Sequence, residues 1–247
     1  MNVLKTTPIL LYRLDAVCSR LGQAIVFTLF CSVSLSFAPS SLAQTAAEYR
    51  QQGLIYRNQG QWNEAMEVLE TAVSLDPDNL GGRVLWGWTA HLAGKDDQAA
   101  PILEANLERD PFHLETLNAL GIVYLVQGKV WPAIVTHGWA GLLKPDNEIA
   151  FYNLSLGFQR VGLWDWSIAT AEYASVLEPY NPHPLVALAL AQGSTAARED
   201  TLAAIVEATR RLDDRYCYYN PDFFNHLKAA GFSAEQITQA RILFQRY

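Results

Sequence analysis

Five histidines, His91, His113, His137, His183 and His226, are the side chains of this sequence best suited to metal ligation or proton transfer, and they are scattered singly. None forms the i, i+4 pair or the His-Glu motif that would set two ligands and a base on one helix face, so they read as structural or surface groups. Of the three cysteines, Cys18 and Cys31 lie in the first 43 residues, which leaves Cys217 as the lone thiol of the remainder, among Tyr216, Tyr218 and Tyr219. No CxxC motif or basic pair accompanies it, and a buried structural cysteine is favoured over a reactive one. The paired carboxylates Asp96-Asp97 and Asp213-Asp214 fall at predicted inter-helix turns, where caps or solvated charges suit them better than acid and base roles. There is no G-x-S-x-G elbow, phosphate-cradling glycine loop or dinucleotide fingerprint. The chain is expected not to be an enzyme and to carry no metal or cofactor; the rival reading, an enzyme or thiol-redox protein, rests on Cys217.

The elements that would position any site are set by a repeat. Asp76-Pro77, Asp110-Pro111, Lys144-Pro145 and Glu178-Pro179 place a proline every 34 residues. Counting each proline as position 32, units begin at Ala46, Leu80, Leu114 and Glu148. Position 8 is then Gly53, Gly87, Gly121 and Ser155, small enough for one helix to cross another closely. Position 20 is Ala65, Ala99, Ala133 and Ser167, and position 27 is Ala72, Asn106, Ala140 and Ala174. Gly60, Gly94, Gly128 and Gly162 fall between the two helices of each unit, where a C-terminal cap needs positive φ.

These residues resemble the tetratricopeptide-repeat (TPR) family over 46–179, with Leu117-x2-Leu120-Gly121-x2-Tyr124, Ala133 and Pro145 as the clearest copy. The resemblance implies an all-α solenoid, a right-handed superhelix of antiparallel helix pairs, with units at 46–79, 80–113, 114–147 and 148–181. A degenerate fifth unit follows at 182–213, and 214–247 are expected to form C-terminal capping helices from Pro221 to Ala230 and Ser233 to Gln245. Ser233 with Gln236 makes a capping box for the second of these. Capping the last repeat is preferred to the alternative, in which the C-terminal helix folds back into the groove. His137 takes the family's usual aromatic position, and Pro101, inside a second helix, is expected to kink it. Trp62, Trp131 and Trp164 are expected to pack near the start of second helices, and Trp86 to sit in the core.

In this family ligands lie on the concave surface formed by the first helices, at positions 2, 5, 9 and 12. The register therefore implies a peptide-binding groove of Arg50, Leu54 and Arg57; Val84, Trp88 and His91; Asn118, Ile122 and Leu125; Tyr152, Leu156 and Gln159; and Val186 and Leu190. Such a groove, basic at one end and apolar along its middle, suits a protein or peptide with an apolar stretch and an acidic terminus. The family's carboxylate clamp does not map, since Glu115 and Ala119 stand where basic residues are required.

Half of the residues are hydrophobic and 17% are charged, a composition for a folded chain. Residues 1–43 carry Lys5, Arg13 and Arg20 against Asp15, a net +2, which leaves −9 on the rest of a chain whose formal total is −7. So acidic a body argues against nucleic acid as partner. The basic start, the apolar stretch Ala24 to Ala38 and the small-residue site Ser41-Leu42-Ala43 have the form of a secretory signal cleaved after Ala43, with an uncleaved anchor as the alternative. Either places the body outside the cytoplasm, in a periplasm or a thylakoid lumen. The chain is most similar to exported TPR proteins of photosynthetic bacteria, including photosystem assembly factors. That implies an assembly adaptor for a membrane protein complex, or alternatively an envelope biogenesis scaffold, and no small-molecule substrate.

Overall fold

Each 34-residue unit folds into two helices whose limits follow from its caps. The computed structural model describes residues 44–195, 199–212 and 223–247, with side chains from 226 onward in the last stretch. The first unit is α1 (Ala46–Asn58) and α2 (Trp62–Leu75), the second α3 (Leu80–Leu92) and α4 (Asp96–Leu107). The third is α5 (Leu114–Val126) and α6 (Val130–Leu143), and the fourth α7 (Glu148–Arg160) and α8 (Trp164–Leu177). The fifth pairs α9 (Pro182–Gly193) with α10 (Glu199–Leu212), and α11 (Phe223–Ala229) and α12 (Ala234–Arg246) end the chain. All described secondary structure is helical, and no described helix is long and apolar enough to cross a membrane. Residues 1–43, expected to form a signal, and Asp213-Asp214 and Cys217 with its tyrosines lie outside the described residues.

The first helices begin at Ala46, Leu80, Leu114 and Glu148, where the proline count sets them. Asn79 accepts a hydrogen bond from the Gly82 amide and caps α3, and Thr45 and Glu48 form a capping box on α1. Each of the first four hairpins turns at a glycine with φ between 72° and 76°, a conformation that costs a glycine little. α4 runs as one α-helix across Pro101, so the lost bond to the Asp97 carbonyl is tolerated within the helix.

Within each unit the small residue at position 8 meets a large one from the second helix. A Cβ on Gly53 would stand 2.5 Å from Leu69, and one on Gly121 would stand 2.4 Å from Nε2 of His137. In the fourth unit the same crossing is made by Ser155 and Ser167, whose hydroxyls are 2.9 Å apart. Position 20 is fully buried in all four units. Polar side chains add to the packing: Asn106 donates to the Leu80 carbonyl of its own unit at 2.9 Å and across to Thr116 of the third unit at 3.0 Å, and within the third unit Asn147 donates to Asn118 at 2.9 Å. Trp62 and Trp164 are half-buried as expected, as is Trp86, which packs against the core of the second and third units. Trp131 instead is largely exposed.

The C-terminal helices do two things at once. Ala240 and Phe244 of α12 are buried with Val186 and Leu190 of α9 and Val206 of α10, which covers the apolar inner face of the last repeat. The turn between α11 and α12 goes further and enters the concave side of the earlier repeats, against Leu125 and Asn153. Capping and groove entry are thus combined in one segment. Ala43–Tyr247 forms one compact unit that contains all of this packing.

Candidate peptide-binding groove

The first helices α3, α5 and α7 line up so that their positions 5 and 9 share an inner face. Val84 and Trp88 of α3, Asn118 and Ile122 of α5, and Tyr152 of α7 come together around one pocket of about 480 Å³. Leu92, Ala119 and Ile149 complete its apolar walls, and His226 and Ala229 of α11, with Ala230 just after it, roof it. Its polar members are Glu115, Asn118, His183 and His226. Tyr152 stacks on His183 with ring centroids 5.6 Å apart, and His183 meets His226 at 4.8 Å. Burial holds the Tyr152 phenol up at about 12, so it remains a neutral donor in the wall.

A half-buried arginine fixes the roof. Arg160, the last residue of α7, donates to the Leu125 carbonyl at 2.5 Å, to the Gly231 carbonyl and to Oε1 of Gln236 at 3.0 Å. Burial lowers its pKa to about 10, which still leaves it charged at neutral pH. Gly231 has φ of 93°, and a Cβ there would lie 2.9 Å from Oδ1 of Asn153 and 3.2 Å from Leu125, so no larger residue fits between the two helices. Gln236 closes the capping box of α12 and also donates to Oε1 of Gln159 at 2.7 Å. At the far edge, His91 has Nδ1 at 2.6 Å from Asp96 and Nε2 at 3.1 Å from the Ala229 carbonyl, a bond that ties α11 to α3.

The residues carried over by register therefore divide into three sets. Val84, Trp88, Asn118, Ile122 and Tyr152 line the pocket, with His91 at its rim. Leu125, Leu156, Gln159, Val186 and Leu190 lie beneath the C-terminal segment: Gln236 bonds Gln159 and the Leu156 carbonyl, and the other residues join one buried cluster with Phe232 and Phe244. Leu54 and Arg57 are half-buried on α1 outside the pocket lining, and Arg50 is paired with Asp76 at 3.0 Å. Register could not show that Arg160, one position beyond the groove set, would be drawn to a hairpin more than 70 residues away in sequence. Among the described residues, no three His, Cys, Asp or Glu side chains are grouped so as to hold a metal ion.

The family model of the tetratricopeptide repeat matches residues 46–79, the whole of the first unit. The crystal structure of MamA protein superposes with a TM-score of 0.57 at 20% identity, over 70% of this chain and 94% of that one. The chain folds as a tetratricopeptide-repeat solenoid. A MamA RS-1 ArsTM double mutant gives a TM-score of 0.59 at 17% identity, over 68% and 93% of the two chains. MamA MSR-1 gives 0.54 at 21%, over 69% and 97%. At such identities the likeness is one of fold. No curated protein matches the chain. The chain's own C-terminal segment fills the trough of α7 and α9 and leaves the α3–α5 part as the accessible pocket.

Proposed function

We propose that the protein is a non-catalytic interaction scaffold that takes the apolar anchor of a partner polypeptide into the pocket between α3, α5 and α11. The supporting observation is the pocket itself: about 480 Å³ of largely apolar space with a few convergent polar groups, which is the form of a site for an apolar anchor held in one orientation. Glu115 and Asn118 at one wall and His183 and His226 at another can fix the direction of the peptide that carries the anchor. The basic end that register places on α1 contributes less, because Arg50 is already paired with Asp76. Partner selection is then governed by the apolar residue and not by an acidic terminus.

The N-terminal sequence supports an exported setting, in which the scaffold serves assembly of a membrane-associated complex. The test is selection of random peptides on the protein, followed by titration of the best binder. Enriched sequences should share one large apolar residue, and Trp88→Ala should weaken the binder about tenfold or more while leaving helicity intact. Selected peptides without an apolar consensus, or an unchanged affinity for Trp88→Ala, would remove the reading.

A further inference from the structure

The opposite, convex face of the solenoid carries exposed apolar side chains in its third and fourth units, at a register that is polar in the first. In the third unit, positions 18, 22, 26 and 29 are Trp131, Val135, Trp139 and Leu142, exposed by 60%, 58%, 49% and 75%. In the first unit those positions are Asn63, Glu67, Thr71 and Ser74, so the fold itself does not call for apolar residues there. In the fourth unit those positions are Asp165, Ala169, Tyr173 and Val176, and Tyr173, Val176 and the neighbouring Trp166 are exposed apolar side chains of α8. The two stripes are joined through Tyr173, whose hydroxyl donates to the Pro145 carbonyl at 3.0 Å, and Phe112 extends the first by contact with Trp139 at 5.9 Å.

Charge at the rim of this face has a definite arrangement. α6 has no charged residue along its length, and it is bounded by Lys129 at its N-terminal cap and Lys144 at its C-terminal cap. α8 is bounded by acids, Asp165 in its first turn and Glu178 at its C-terminal cap. All four are exposed. Successive helices alternate in direction, so α6 and α8 run parallel to each other. A two-fold axis lying in the face and along the helices would lay α6 of one copy parallel on α8 of another, with Lys129 toward Asp165 and Lys144 toward Glu178.

We infer that the protein pairs with a second copy of itself through α6 and α8. The exposed aromatic and aliphatic side chains amount to on the order of 1,000 Å² at ~150–250 Å² per aromatic residue. That exceeds the ~300–600 Å² of a typical monomer's largest patch and the ~800 Å² each partner contributes to a stable interface. The rim carries both signs, with Glu172 adding a further acid on α8, and so complements itself. A bilayer of anionic lipid would meet more acid than base on this face.

Sedimentation equilibrium of residues 43–247, the compact unit, decides it. The wild type should be dimeric and Trp139→Glu monomeric, with equal helicity and melting temperature. Lys144→Glu should weaken the dimer about tenfold or more, and adding Glu178→Lys in the same chain should restore it, since each copy supplies both partners. A wild type that stays monomeric overturns the inference, as does a charge exchange without recovery. Binding of that monomer to phosphatidylcholine vesicles, abolished by Trp139→Glu, would assign the face to lipid and equally overturn it.

Discussion

Single residues here show why a repeat tolerates departures from its own pattern. His137 stands fully buried where the family has an aromatic residue, flat against Gly121, and burial drives its pKa down to about 3. The nearby Gly121 carbonyl favours the charged form slightly, but neither ring nitrogen is in hydrogen-bonding geometry with a partner. An ordinary histidine titrates near 6.5, so between pH ~6.5 and ~3 the unfolded chain binds a proton that the native state refuses. Stability from this residue is complete above pH ~6.5 and falls by up to ~1.4 kcal/mol per pH unit below it, about 2 kcal/mol by pH 5. Denaturant titrations across this range should show that loss in the wild type and a flatter acid limb in His137→Leu. Equal slopes would mean that the imidazole is not held neutral.

At the scale of elements, the hairpins were legible in the sequence because each depends on local signals. Prolines at position 32, turn glycines and small crossing residues fix where α1 to α8 begin and how they cross, and Ser233 with Gln236 fixes the start of α12. The destination of α11 and α12 was not legible, because it is decided by long-range polar contacts from Arg160 and His91 that no local spacing encodes. Arg160→Met should therefore act on this segment and spare the repeats. It leaves the Leu125 and Gly231 carbonyls without their charged donor, at a cost of about 2–4 kcal/mol. Hydrogen exchange should quicken in α11 and α12 while α1 to α6 keep their protection. Unchanged exchange in α12 would show that apolar packing alone holds the segment down.

For the whole molecule, two faces of one solenoid are prepared for different contacts: a concave pocket narrowed by the chain's own C-terminus, and a convex face with apolar stripes on α6 and α8. The pocket residues Val84, Trp88, Asn118, Ile122 and Tyr152 were legible from register, whereas Arg50 was drawn off by Asp76, a pairing that only the packing of α1 against the end of α2 reveals. The central claim, that the pocket receives a partner's apolar anchor, is tested most directly by methyl-resolved NMR during titration with a display-selected peptide. The resonances of Val84, Ile122 and Ile149 should shift saturably while those of Val135 and Val176 on the convex face stay in place. Saturable shifts confined to the convex face, with the pocket methyls unmoved, would contradict it.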